Sequence, residues 1–366
     1  MLTLDEDQRL LMDSARAAVA AHSPVSEYRR LREPQGEGFS RAFWKLCGEM
    51  GWSGVLVPEA QGGTAFGVVG AGLVAREMAR PLALSPFLST AVLAATALAE
   101  GGSPAQQQTW LPRIAGAQAV VALAHEERLR PGGLATRAHR EGAGFRIEGE
   151  KHFVLDGHVA DAFIVAASVE DASALFLVGA DAPGVTRQTR ILVDGRRVAS
   201  VGFAHVEAAE SDLLPGRGLA LERALDVGRA VLAASACGVA EEAFRRTLGY
   251  LKERRQFDRA IGSFQALQHR AAVAHVAVEN AWSATLQALQ ALDARSHNAA
   301  FDVAVAKSKA SRTVEEVTAE CLQMHGGIGM TDAFDIGLYL KRARVDATLL
   351  GDAAFHADRV ATMLGY

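Results

Sequence analysis

Residues 119–216 interrupt a chain whose remainder is patterned as helix, and this change of period constrains the fold more than any other feature. Upstream, apolar residues recur at helical spacing in Leu10, Leu11 and Ala15 and again in Phe43, Leu46 and Met50, as one face of a 3.6-residue repeat requires. The Gly62–Gly63 pair and the Arg80–Pro81 step punctuate that pattern. Between 119 and 216 the runs VVALA, GFRIEGEKHFVL, AFIVAA, ALFLVG and RVASVGF are short and β-rich, with Gly, Asp and Pro between them, which predicts strands joined by turns. Beyond 218 helical periodicity returns in three long stretches. In the second, Leu267, Ala271, Ala274, Val278, Trp282, Leu286 and Leu289 line one stripe, and in the third Ala306, Ala310, Val314, Val317 and Cys321 do the same. Each stretch runs about 25–30 residues, roughly 40 Å at 1.5 Å per residue, a length suited to a bundle. The expectation is an α+β multidomain chain: an N-terminal α-helical domain over 1–117, a middle β-barrel or sandwich-like domain over 118–216, and a C-terminal four-helix bundle over 217–366.

At 366 residues the chain exceeds what one hydrophobic core supports. With 49% hydrophobic and 22% charged residues and 10 prolines, disorder, collagen-like repeats and a disulfide scaffold are excluded. The net charge of −4 supplies no basic field to attract nucleic acid or an anionic membrane surface, so an anionic ligand has to be held by local groups. The first residues carry acids where a signal peptide carries basic residues, and no apolar run reaches membrane-spanning length; the expected location is cytoplasmic, with no membrane insertion. Cys47, Cys237 and Cys321 are far apart and lack C-x-x-C spacing, so they read as small buried residues and imply no metal site.

Two C-terminal segments carry the strongest chemical signal. YLKERRQFDRAIGSFQALQHR at 250–270 sets two arginines before an aromatic residue and a Gly turn, and AECLQMHGGIGMTDAF at 319–334 ends a long helix in a Gly–Gly turn that exposes backbone amides. Both arrangements suit a pyrophosphate. Gly326, Gly327 and Gly329 follow a helix rather than a strand, which excludes the dinucleotide fingerprint of a βαβ unit. Together with GWSGVLVPEAQGGTAFG at 51–67, GEKHFVLDGHVADAFIVAA at 149–167 and the ending KRARVDATLLGDAAFHADRV at 341–360, these segments resemble the acyl-CoA dehydrogenase family. The likeness covers essentially the whole chain and is strongest to the family's short, heteromeric members.

That resemblance implies an oxidoreductase of fatty-acid β-oxidation type, acting on an acyl-CoA with FAD as cofactor and yielding a trans-2-enoyl-CoA. It also implies a homo- or hetero-oligomer, dimer or tetramer, reoxidised by an electron-transfer flavoprotein. Such chemistry needs a carboxylate near the α-carbon, a hydrogen-bonded thioester carbonyl and a stacked, dry flavin. By position, the resemblance assigns Arg254, Gln256 and Phe257 to the FAD pyrophosphate and ribose, and Ile261, Phe264, Gln265 and Leu267 to the adenosine side. It assigns Gln323, Met324 and Gly327 to the same dinucleotide, Phe153 to the isoalloxazine, and Arg229 to the substrate region.

Three departures stand beside these matches. The family's T-E-P-x-x-G-S loop is AHEERLRPGG at 124–133, with His125 at the threonine and Arg130–Pro131 at the Gly–Ser pair. A second flavin-side threonine is replaced by Leu155. The glutamate that serves as base in most members aligns with Leu350, and the alternative glutamate, before an arginine on the first bundle helix, aligns with Gly228. Asp352 is the candidate replacement, competing with a role as helix N-cap; Asp226 is a second candidate, a turn away from Gly228. His125 and His325 read as hydrogen-bonded structural histidines. The resulting expectation is a subunit that contributes FAD-binding surface to a longer, glutamate-bearing paralogue. Its alternatives are a self-sufficient homomer using Asp352 and a non-catalytic flavin-binding protein.

Overall fold

The computed structural model describes residues 3–127 and 134–366; the predicted Arg130–Pro131 departure lies outside the described residues. The N-terminal part carries α1 (Glu6–His22), α2 (Val25–Leu31), α3 (Arg41–Glu49), α4 (Gly67–Ala79), α5 (Ala95–Gly101) and α6 (Pro104–Ala115), with a π-helical segment at Phe87–Ala94. Local chemistry starts these helices. Asp5 accepts from the Gln8 amide while the Gln8 side chain returns to the Asp5 amide, a capping box that satisfies two donors at the start of α1. Ser103 and Gln106 repeat the device at α6.

Strands follow: β1 (Val121–Ala124), β2 (Arg137–Glu141), β3 (Gly144–Leu155), β4 (Ala162–Val169), β5 (Ala172–Gly179), β6 (Val185–Ile191) and β7 (Arg197–Ala209). The chain then forms α7 (Arg217–Glu253), a short hairpin of β8 (Arg255–Gln256) and β9 (Arg259–Ala260), α8 (Gln265–Asp293), α9 (Ala299–His325), α10 (Ile336–Thr348) and α11 (Ala353–Met363). The helix, strand, helix order expected from the period is the order observed. The C-terminal part holds three long helices and two short ones.

The chain forms two compact units. One gathers the chain up to Arg30, Val68–Ala83 and Arg229–Tyr366; the other gathers Leu31–Gly67 and Leu84–Gly228. In the first, helical unit, α8, α10 and α11 all pack on α9. The α9 stripe Ala306, Ala310, Val314, Val317 and Cys321 is buried throughout. On α8 the stripe is buried at Ala274, Val278, Leu286 and Leu289, whereas Val273 and Val276 face outward. Helices α4 and α7 approach closely at Gly238, where a Cβ would lie 2.2 Å from the Arg76 carbonyl oxygen, so no larger residue fits there.

In the second unit the seven strands form one curled sheet in the order β1-β4-β2-β3-β7-β6, with β5 on β4. β1 runs parallel to β4, and β3 pairs antiparallel with β7. Its core includes Phe145 against Phe176, with ring centroids 5.0 Å apart. The β3–β7 register shifts between Lys151 and Val154, a bulge that re-aims the side chains beside it. Among the described residues no helix is long and apolar enough to cross a membrane. The three cysteines are unpaired and buried, and burial raises the thiols of Cys237 and Cys321 to about 11.

Candidate active site

The end of α7 and the end of α9 meet in the helical unit. Tyr250 stacks on His325 at 4.4 Å between ring centroids and donates to its carbonyl at 3.4 Å, while Phe334 packs against both rings. His325 Nδ1 bonds the Cys321 carbonyl at 2.7 Å, and burial depresses its ionisation, in keeping with a structural histidine. This contact brings the segments 254–267 and 323–330 together although about 70 residues separate them in sequence.

The hairpin after α7 turns through Phe257 and Asp258, both with positive φ of 52° and 63°. That is the geometry of a tight primed turn, for which glycine and asparagine are the usual residues. Arg255 donates to the Asp258 carbonyl at 2.9 Å, and the Arg259 guanidinium lies 4.1 Å from the Phe264 ring centre. Arg254, Gln256, Gln265, Gln323 and Gly327 are exposed, Ile261, Phe264 and Leu267 half-buried, and Phe257 is 85% exposed. Met324 instead turns its side chain into the bundle. Three guanidinium groups on one solvent-facing turn, with an aromatic ring at its tip and amide side chains nearby, fit a pyrophosphate and its flanking sugar and base.

Residues 349–352 are held very differently. Leu350 has φ of 58° and is 4% exposed. Its carbonyl accepts from His356 Nε2 at 3.0 Å and Arg229 Nε at 3.3 Å. Lys307, buried on α9, donates to Ser311 Oγ and to the carbonyls of Asp346, Ala347 and Gly351 at 2.9–3.3 Å. Burial depresses Lys307 to about 7, and burial with the nearby Lys307 and Arg229 charges pushes His356 down to about 3. Asp352 is exposed, and its carboxylate accepts from the Phe355 amide at 2.8 Å as the N-cap of α11. Arg229 thus reaches the position of Leu350, so two segments that the resemblance links to proton abstraction adjoin. Asp226 lies half-buried on α7.

In the sheet unit, Phe153 sits at the β3 bulge with φ of 52°, an uncommon conformation for an aromatic residue and one that clusters at ligand sites. Leu155, two residues on, is buried. His125 closes β1; its Nδ1 is buried without a hydrogen-bond partner, and Nε2 lies 3.6 Å from Glu126. Beside it Glu127 accepts from Lys151 at 2.5 Å and from the Ala135 and Thr136 amides. Burial opposes ionisation of Glu127, but these bonds prevail and hold its carboxyl near 2, while burial lowers Lys151 to about 8. Ser89 donates to Asp156 at 2.6 Å, and burial pushes that carboxyl up to about 6.

Sequence reasoning missed the Lys307 cluster, the Glu127–Lys151 pair and the Ser89–Asp156 pair. The first had a signal. Lys307 interrupts the small apolar stripe of α9 between Val303 and Ala310, where a charge is buried only with partners.

Comparison with known proteins agrees along the chain. The family models described as acyl-CoA dehydrogenase N-terminal domain and C-terminal domain match residues 5–118 and 216–365. The acyl-CoA dehydrogenase FadE27 of Mycobacterium tuberculosis is 31% identical over 345 residues, covering 91% of each chain. IpdE2 of the same organism, also an acyl-CoA dehydrogenase, is 30% identical over 95% of this chain and 94% of its own. Among solved structures, the ChsE4–ChsE5 complex from Mycobacterium tuberculosis superposes with a TM-score of 0.93 at 28% identity, over 100% of this chain and 98% of that one.

Proposed function

This chain belongs to the acyl-CoA dehydrogenase family, and on that premise we propose that it is one subunit of a heteromeric FAD-dependent enzyme whose partner supplies the catalytic base. FAD, when bound, accepts the hydride that leaves the acyl β-carbon. The chain's own contribution is to hold the dinucleotide: Arg254 toward the pyrophosphate, Gln256 and Phe257 toward the adjoining ribose, and Ile261, Phe264, Gln265 and Leu267 along the adenosine. Gln323, with the backbone at Met324 and Gly327, approaches from the end of α9. Phe153, in the sheet unit, is the residue that would contact a flavin ring there. A buried pyrophosphate without cations would be strongly unfavourable, and the exposed guanidinium cluster supplies them.

The ring side is less complete. Leu155 has no donor for a flavin oxygen, and His125 stands where a hydroxyl is found in the family. The single observation that carries the subunit reading is the turn at 349–352. Its residue 350 is a leucine, and the nearest carboxylate along the chain, Asp352, is committed to capping α11. A base displaced by two residues is misaligned, and an error of about 1 Å already lowers rate about a hundredfold. Proton abstraction therefore falls to a carboxylate from a longer partner chain. The two-component structural relative, ChsE4–ChsE5, supports such an assembly. Electrons pass onward to an electron-transfer flavoprotein, as the family likeness implies.

The deciding assay compares the purified single chain, loaded with FAD, against short, medium, dicarboxylic and steroid-side-chain acyl-CoA thioesters, before and after adding a glutamate-bearing paralogue. General base catalysis contributes about 10²–10⁴-fold, so the single chain is expected to turn over at least about a hundredfold more slowly than the mixed complex. Robust turnover by the single chain, abolished in Asp352→Ala with flavin retained, overturns the subunit reading and makes Asp352 the base.

A further inference from the structure

The turn at 349–352 is held by far more than a helix end requires. A C-terminus of a short helix is ordinarily closed by one glycine and water. Here α10 and the turn after it present four carbonyls, at Asp346, Ala347, Leu350 and Gly351, and α11 opens with a fifth at Ala353, each accepting from a side chain of α7, α9 or α11: Lys307, Arg229, His356 and Ser308. The Asp346 carboxylate is also engaged, accepting from Ser235 at 3.0 Å.

Leu350 adopts φ of 58° within this frame, although leucine has no local preference for a left-handed backbone. The next residue, Gly351, has φ of 102°, and a Cβ there would lie 2.4 Å from the Phe355 ring and 2.8 Å from His356 Nε2. The path of the turn is thus dictated by the groups beneath it and not by residue 350. A strained conformation that its surroundings over-determine points to a function for the position. Yet residue 350 offers only a hydrocarbon side chain.

We propose that Lys307, with Arg229 and His356, is a positioning apparatus for residue 350: the turn is built as a rigid presenter for a catalytic carboxylate and lacks the carboxylate. This rests on the reading of 350 as the base position and goes beyond it, because it predicts that one substitution restores proton abstraction to the flavin-loaded single chain. Lys307 bridges the two halves of the turn by bonding the Asp346 and Ala347 carbonyls on one side and Gly351 on the other, so it sets the direction in which the 350 side chain leaves the backbone. His356 stays neutral, which leaves its Nε2–H to donate to the Leu350 carbonyl.

The test is Leu350→Glu in the full chain with FAD bound, followed by anaerobic flavin bleaching with the same acyl-CoA panel. Bleaching is expected to accelerate at least about 100-fold over the parent chain. Adding Lys307→Met to that background should then remove at least about tenfold of the gained rate per flavin-loaded molecule and shift the pH profile of bleaching, as expected when a base is misaligned. A lysine that merely closes α10 would lower thermal stability and leave rate and pH profile per loaded molecule unchanged, which overturns the proposal. If Leu350→Glu does not fold, Leu350→Gly, compatible with the backbone at 350, is assayed with added propionate. Bleaching that rises with propionate supports the presenter, and no rise overturns it.

The two readings fail separately. An inert, flavin-loaded Leu350→Glu beside a parent chain that a glutamate-bearing partner activates removes the presenter and keeps the subunit reading. An active Leu350→Glu beside a parent that no partner activates does the reverse.

Discussion

The hairpin at 254–260 and the turn at 349–352 belong to the same helical unit but are built on opposite terms. The hairpin carries the full set of side chains expected of a dinucleotide site and almost no support: its residues are exposed from Arg254 to Arg259, and its tip, Phe257, is 85% exposed. The turn has the support and not the side chain. Buried cationic and neutral donors fix five carbonyls in and beside it, while residue 350 is hydrocarbon. Chemistry and rigidity have been separated. A surface left open in this way is complete only when something covers it, whether cofactor or a second chain.

The largest effect that sharpens this contrast is on stability. Lys307→Met strips the turn of its central donor and leaves several buried carbonyls without one, so unfolding in urea should show a loss of about 3–5 kcal/mol. Arg254→Ala touches nothing buried and should stay within about 0.5 kcal/mol of the parent. Equal losses from the two substitutions would erase the distinction between a supported and an unsupported element.

The same pair reverses in cofactor binding. Hydrogen bonds to charged groups contribute about 1.5–3 kcal/mol, so Arg254→Ala should weaken FAD about 10–100-fold by equilibrium titration. Full retention of flavin through purification would count against Arg254 as a pyrophosphate ligand.

How much of this contrast could be read in advance follows from which forces leave a local trace. The strand window and the stripes of α8 and α9 were legible because burial imposes a period, and the stripe Ala306 to Cys321 is buried as expected. The exposure of Val273 and Val276 on α8 was not, since these apolar residues lie off the stripe and their surroundings are set by tertiary packing. Arg254 and Gln323 were singled out by likeness, and both are exposed. The capping role of Asp352 was legible as an alternative from its place before a helix. The cage of Lys307, Arg229 and His356 was not legible, because its three members come from α9, α7 and α11 and meet only through tertiary packing. Likewise, nothing local in GEKHF announces that Lys151 pairs with Glu127, 24 residues upstream.

A third, smaller effect is on pH. His356 titrates at about 3 in the folded chain against an ordinary 6.5. The unfolded chain therefore binds the proton first, and the stabilising contribution is complete above pH 6.5 and is lost as pH falls toward 3. Glu127, held near 2 against 4.5, acts in the same direction at lower pH. Asp156, raised to about 6 from 3.8, acts oppositely: its contribution is complete below 3.8 and lost as pH rises through 6. Between pH 6.5 and 5 the His356 share is on the order of 1–2 kcal/mol. His356→Gln should flatten the fall in melting temperature across that interval, and an unchanged slope would show that the cage is not its source.

The smallest effect tests whether the hairpin is free of the constraints that bind the turn. Asp258 has φ of 63°, and its carbonyl, not its side chain, receives Arg255. Glycine adopts that backbone without the steric penalty of a Cβ, though it loses more entropy on folding, so Asp258→Gly should change stability by less than about 1 kcal/mol, in the stabilising direction. Flavin affinity should be untouched, because the arginines and Phe257 remain. Phe257→Ala is the companion variant. At 85% exposure the residue contributes little to folding, so melting should be unchanged while FAD binding weakens. If Phe257→Ala instead lowers melting in the isolated chain and spares the flavin, the ring is a packing element, and the hairpin resembles the caged turn more closely than its exposure indicates.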